Sequence, residues 1–163
     1  MRLGLGVESM LHSCVLLALL PGEKSLPAAK LAEYHDVPAA QMAKHLQALS
    51  AAGVLVSARG RAAGGYQLAR PPEQITLLDI VDAVEGQEPL FRCTNVRLRG
   101  PCAADADKYG PLCPVTQAMR DIEQAWRQAL ASRTIADLVM ASVEDSVPEV
   151  VSSSMVWLQK SMR

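Results

Sequence analysis

The chain has 163 residues, half of them apolar and only 4% aromatic, with a formal net charge of −1. That length holds one compact domain with at most an appended arm, and an interior filled by alanine and leucine favours helices over a large sheet. The charge balance excludes a general polycationic nucleic-acid binder.

The first segment, with Leu5, Val7, Leu11, Val15, Leu16 and Leu19, reads as an amphipathic to buried helix ended by Pro21-Gly22. Its run Val15 to Leu20 is too short to cross a bilayer, and no basic stretch makes it a secretory leader. A cytoplasmic location is expected, where four cysteines point to metal or redox chemistry rather than structural disulfides. Glu8 and His12 stand at i, i+4 and share one helix face. That spacing serves two ligands of one metal centre or a surface ion pair, and on spacing alone the ion pair is the simpler reading. Cys14 follows the buried pattern and reads as a core thiol.

Leu26 to Leu68 reads as helix, turn, helix and hairpin. Leu26, Ala29, Leu31 and Ala32 give the first helix an apolar side, and Asp36-Val37-Pro38 breaks it. Met42, Leu46 and Leu49 then repeat at helical spacing until Gly53. Val54-Leu55-Val56 and Tyr66-Gln67-Leu68 form two short strands, with Gly60, Gly64 and Gly65 permitting the turn between them. This is the layout of a winged helix-turn-helix, whose second helix enters the DNA major groove. Residues 24–70 carry six basic and two acidic groups, a net +4 inside a near-neutral chain, which is a local electrostatic footprint for DNA. On the second helix Gln41 suits an adenine edge and Lys44 a guanine edge or phosphate. Ala39 and Ala40 permit close approach, and His45 serves the backbone or simply solvent. Arg59 and Arg61, flanking Gly60, suit a minor groove or its phosphates.

After Pro71-Pro72, Thr76 caps a helix with Asp79 as the third residue after it, and Gly86 closes it. Phe91 to Pro114 has no sustained period and is punctuated by Gly100-Pro101, Gly110-Pro111 and Pro114. A loop this long calls for something that orders it, and Cys93, Cys102 and Cys113 suggest a metal or cluster. The spacing is wide for zinc. It fits an iron–sulfur cluster, or a thiol switch such as Cys93–Cys102. Val115, Met119, Ile122, Trp126, Ala129 and Leu130 then make a long amphipathic helix, the form of a dimer arm. Thr134 caps a short helix over 135–140, residues 142–149 read as an acidic linker, and 150–162 as a helix anchoring Trp157. The expected fold is mainly α with a small β-hairpin wing: a winged helix-turn-helix domain over 1–86, a cysteine loop over 87–114, and a dimerisation helix with C-terminal segment over 115–163. No catalytic acid–base pair is visible, so an enzyme is not expected.

These pieces together resemble the Rrf family of winged-helix regulators, which includes IscR and NsrR. The resemblance covers about 1–140. It rests on Leu49-x3-Gly53-Val54-Leu55, on Arg59-Gly60-x3-Gly64-Gly65-Tyr66-x-Leu68, on Ile75-Thr76-Leu77-x-Asp79-Ile80, on Ala83-Val84-Glu85-Gly86, and on a cysteine loop ending in Cys113-Pro114. It implies a homodimer on a near-palindromic DNA operator, a repressor in which the state of a cluster sets affinity. Typical cluster-binding members carry three closely spaced cysteines; here eight residues separate Cys93 from Cys102 and ten separate Cys102 from Cys113. The pattern is more similar to the branch exemplified by RsrR, in which two loop cysteines join a carboxylate and a histidine of the first helix. The resemblance therefore implies a [2Fe-2S] cluster with Cys93 and Cys113 on one iron and Glu8 and His12, from the partner subunit, on the other. Cys102 is the alternative ligand. A cluster-free member acting through a thiol switch or a protein partner is the alternative function.

Overall fold

The computed structural model describes residues 3–57 and 64–162. These residues are mostly helical with one two-stranded antiparallel hairpin, as expected. They fall into two compact units: residues 88–129 form one, and the described residues before 88 together with 130–162 form the other. Among the described residues no helix is long and apolar enough to cross a membrane.

In the larger unit, α1 (Leu5–Ala18), α2 (Ala28–Tyr34) and α3 (Ala39–Ala51) precede β1 (Leu55–Ser57) and β2 (Tyr66–Leu68). Met10, Cys14, Leu31, Met42, Leu46 and Leu49 are fully buried in one core. Burial without a charged partner pushes the Cys14 thiol up to about 12, so it stays protonated and inert, as a core thiol should. Pro38 caps α3. At its other end Gly53, at φ +71°, takes the left-handed turn while the Val54 amide donates to the Leu49 carbonyl at 2.9 Å.

The hairpin pairs Leu55 with Leu68, Val56 with Gln67 and Ser57 with Tyr66. Leu26 belongs to this sheet rather than to α2. Its amide and carbonyl exchange hydrogen bonds with Tyr66 at 3.1 and 2.8 Å, which makes it a third, one-residue rung. Pro27, which caps α2 from an extended conformation, keeps Leu26 out of the helix. The close approach also assigns Gly65. A Cβ there would lie 2.7 Å from Ser25 Oγ and 3.0 Å from the Leu26 backbone, whereas Gly64 has open space around it. Gly65→Ala should therefore destabilise the protein by about 2 kcal/mol through overpacking against backbone, lowering Tm by roughly 4–8 °C. Gly64→Ala is the control in the same thermal melt, and equal melting of the two would remove the close approach as the reason for Gly65.

α4 (Leu77–Glu85) starts with the expected capping box: the Asp79 amide donates to Thr76 Oγ1 and the Thr76 amide to Asp79 Oδ2. Gly86, at φ +88°, ends it. Thr134 and Asp137 repeat the box at the start of α6 (Ile135–Asp145). The two helix starts are clasped to each other: the Leu77 amide donates to the Arg133 carbonyl and the Ile135 amide to the Ile75 carbonyl, both at 2.9 Å. α6 extends past 140, so the acidic stretch is not a linker. Glu144 and Asp145 lie on the exposed end of α6, and Pro148 opens α7 (Pro148–Ser161). Trp157 of α7 packs at a tilt against Tyr34 with centroids 4.7 Å apart, Ser154 Oγ and Tyr34 OH share a 2.8 Å hydrogen bond, and Leu158 enters the core.

The smaller unit holds the cysteine loop and α5 (Pro114–Ala131) as far as Ala129. The loop has a polar scaffold that no sequence period marks. The Arg97 guanidinium lies 4.7 Å over the Tyr109 ring and donates to the Gly110 carbonyl, while Tyr109 OH donates to the Arg97 carbonyl. Arg99 donates to the Thr94 carbonyl, and the Leu90 amide reaches Glu123 on α5.

Candidate DNA interface and metal-ligating half-sites

On α3, Ala39 and Lys44 are exposed and Gln41 is half-exposed, away from buried Met42, Leu46 and Leu49. The helix period thus sets the candidate DNA residues on its open side. Arg59 and Arg61 lie outside the described residues. His45 is half-buried, and its ring lies against α1: a Cβ on Gly6 would sit 2.7 Å from His45 Cε1 and Nε2. The absence of a side chain at Gly6 lets the His45 ring rest against α1 there. The contact connects the α1 backbone, one residue pair ahead of Glu8, to the candidate recognition helix.

Glu8 and His12 are both exposed on α1 and line one wall of a cleft of about 790 Å³ with Leu5, Leu11, Val15 and Leu138. They form no ion pair with each other among the described residues, so the simpler surface-pair reading has no support in the geometry. Behind His12 stands His35, with ring centroids 6.2 Å apart. Burial first, then the His12 charge, hold the His35 imidazole below its ordinary range, and its Nε2 is enclosed without a partner.

In the other unit, Cys113 caps α5. Its carbonyl accepts from the Gln117 amide at 2.9 Å, Pro114 takes the first helical position, and the amides of Thr116 and then Val115 hold the Cys113 thiol below its ordinary range. A thiolate here does what a serine or aspartate oxygen does at other helix starts. Cys93 is held low by the Thr116 hydroxyl first and then by the Asn95 amide, which lies 3.4 Å from its sulfur; the neighbouring Cys113 opposes this. Cys93 and Cys113 are thus brought together around Thr116. Cys102 is exposed in the turn that the Ala103 amide closes on Gly100.

The donor chemistry fits iron: two thiols biased toward thiolate in one unit, an imidazole and a carboxylate one helical turn apart in the other. Among the described residues no three His, Cys, Asp or Glu side chains of the chain gather where they could hold a metal ion. The candidate ligands come in pairs.

Residues 5–141 match the profile of the Rrf2 family, described as an iron-dependent transcriptional regulator. BadM of Rhodopseudomonas palustris, named as an HTH-type transcriptional regulator, is 31% identical over 139 residues, covering 85% of this chain and 81% of BadM. The structure of T. potens IscR is similar with a TM-score of 0.66 and 20% identity, over 90% of this chain and 92% of that one. That of CymR, the global cysteine regulator of B. subtilis, gives 0.65 and 22%, over 86% and 98%. At those identities the structures speak for the winged-helix fold alone. With that fold, and with a family profile over most of its length, the chain belongs to the Rrf2 family of DNA-binding transcriptional regulators.

Proposed function

We propose that the protein is a homodimeric repressor that senses redox state through a [2Fe-2S] cluster. In this reading Cys93 and Cys113 hold one iron, and Glu8 and His12 of a second copy hold the other. The observation that carries it is the meeting of Cys93 and Cys113 at the start of α5 around a buried hydroxyl. When bound, the cluster supplies a one-electron change of charge at its ligands.

The chain's own residues would turn that change into a DNA response. Glu8 and His12 ride on α1, and α1 meets α3 at Gly6 and His45, so a shift of α1 reaches the recognition helix directly. A difference of ~1.4 kcal/mol between DNA-competent and incompetent states alters affinity tenfold. The long exposed stripe of α5 would join two copies and set two α3 helices on a near-palindromic operator. Anaerobic purification tests the reading. Visible absorption, two irons and two sulfides per chain, and retardation of palindromic DNA that changes on reduction are the expected results.

Neighbouring thiols also favour a second reading, a cluster-free regulator in which an oxidant takes two electrons and two protons from Cys93 and Cys113 and a disulfide forms. A colourless protein whose DNA binding is abolished by peroxide and restored by a dithiol would select it. A colourless protein that binds DNA equally well after thiol alkylation would sink both.

On α3, Gln41→Ala and Lys44→Ala should change preference between operator variants, with ~1–3 kcal/mol at stake per base contact. Equal losses on operator and random duplex would reassign them to the phosphate backbone. Alanine at Arg59 and Arg61 should instead flatten the salt dependence on all duplexes.

A further inference from the structure

Thr116 is the one buried side chain of α5, 6% exposed, on a helix of 18 residues whose apolar stripe stays open. It is therefore not enclosed as part of an apolar core. Its Oγ1 meets no partner at full hydrogen-bonding geometry, yet it stands near enough to the Cys93 sulfur to hold that thiol down. A mid-helix threonine commonly donates to the carbonyl four residues back; for Thr116 that residue is Leu112, which precedes the helix. An unmade buried hydrogen bond is costly, and valine would fill the same space without it.

The two sulfurs flank Thr116. The Thr116 hydroxyl is the largest influence holding the Cys93 thiol down, and the Thr116 amide is the largest on Cys113. One residue thus addresses both sulfurs, with its side chain and with its backbone. A neutral thiol is a weak acceptor, whereas a thiolate accepts strongly. Beside a thiol the hydroxyl's contact falls short of a full hydrogen bond, and beside metal-bound thiolates it would become one.

We propose that Thr116 is a positioning residue whose hydroxyl donates to the sulfurs of Cys93 and Cys113 once they ligate metal, and so sets the reduction potential of the group they hold. The proposal rests on the preceding reading of these cysteines as ligands. Its direction follows from charge: a donor to sulfur stabilises the more negative, reduced form and raises the potential.

The test compares wild type, Thr116→Val and Thr116→Ser after anaerobic reconstitution with iron and sulfide. With equal iron and sulfide bound, Thr116→Val should shift the oxidised-to-reduced ratio about tenfold at a fixed poise, a fall of about 59 mV for a one-electron couple. Thr116→Ser should restore the wild-type value. An unchanged potential in Thr116→Val overturns the proposal and leaves the cluster reading intact. A second arm titrates Co²⁺ into the reduced, cluster-free protein and follows the thiolate-to-metal absorption. About tenfold weaker binding by Thr116→Val, rescued by serine, supports the donor role even if wild type takes up no cluster, in which case the cluster reading alone fails. Equal Co²⁺ affinity in all three proteins overturns the proposal on that arm too.

Discussion

Cys113→Ala is expected to lose the proposed cluster, with bound iron falling below about one tenth of wild type, since even outer-shell changes at metal sites cost 10- to 100-fold in affinity. Alanine there also removes the cap of α5. Cys113→Ser separates the two roles, because serine is a strong helix cap and a poor match for a sulfide-bridged iron. The serine variant should keep the helix content of α5 and still lose colour. Cys93→Ala should lose the cluster as fully, while Cys102→Ala keeps iron, sulfide and spectrum. His12→Ala should leave a labile cluster or shift its potential, and Glu8→Ala should do so more mildly, since water can replace a carboxylate. Loss of the cluster in Cys102→Ala, with Glu8→Ala and His12→Ala unchanged, would put Cys102 in the ligand set and remove α1 from it.

What the sequence made legible was governed by local chemistry. The Thr76–Asp79 box, the Gly53 and Gly86 helix ends and the buried side of α3 follow from capping and period, and each stands where the residues place it. The winged-helix layout follows from their order. What escaped was set by approach between segments distant in sequence. Gly65 reads as a turn glycine until Leu26 is seen against it. Gly6 has no signal at all, since its reason is the His45 ring from another helix. The acidic, proline-containing run after Met140 suggests a linker, yet a charged exposed face is compatible with helix and Pro148 opens the next one. The Arg97–Tyr109 pairing was invisible because no period marks a loop. Thr116 was within reach: Cys113-Pro114 announces a helix start, and the third residue inside a start faces its cap.

A single substitution at the middle of α5, Ile122→Glu, should turn the proposed dimer into monomers. Within one chain Ile122 is 60% exposed and Val115 59%, with Met119 and Trp126 on the same stripe half-buried. A two-fold interface presents the same patch from both copies, so each substitution counts twice. A central anchor is worth about 2 kcal/mol or more. Two of them give roughly 4 kcal/mol, about a thousandfold in the dimer dissociation constant, before the repulsion of two facing carboxylates is added. Sedimentation at micromolar concentration should show wild type and Ile122→Leu as dimers and Ile122→Glu as a monomer. Binding to a palindromic operator should fall with it toward the affinity for an isolated half-site, because only the dimer engages both α3 helices on one duplex. A glutamate variant that sediments as a dimer and binds the palindrome like wild type would show that the exposed stripe of α5 does not join the two copies.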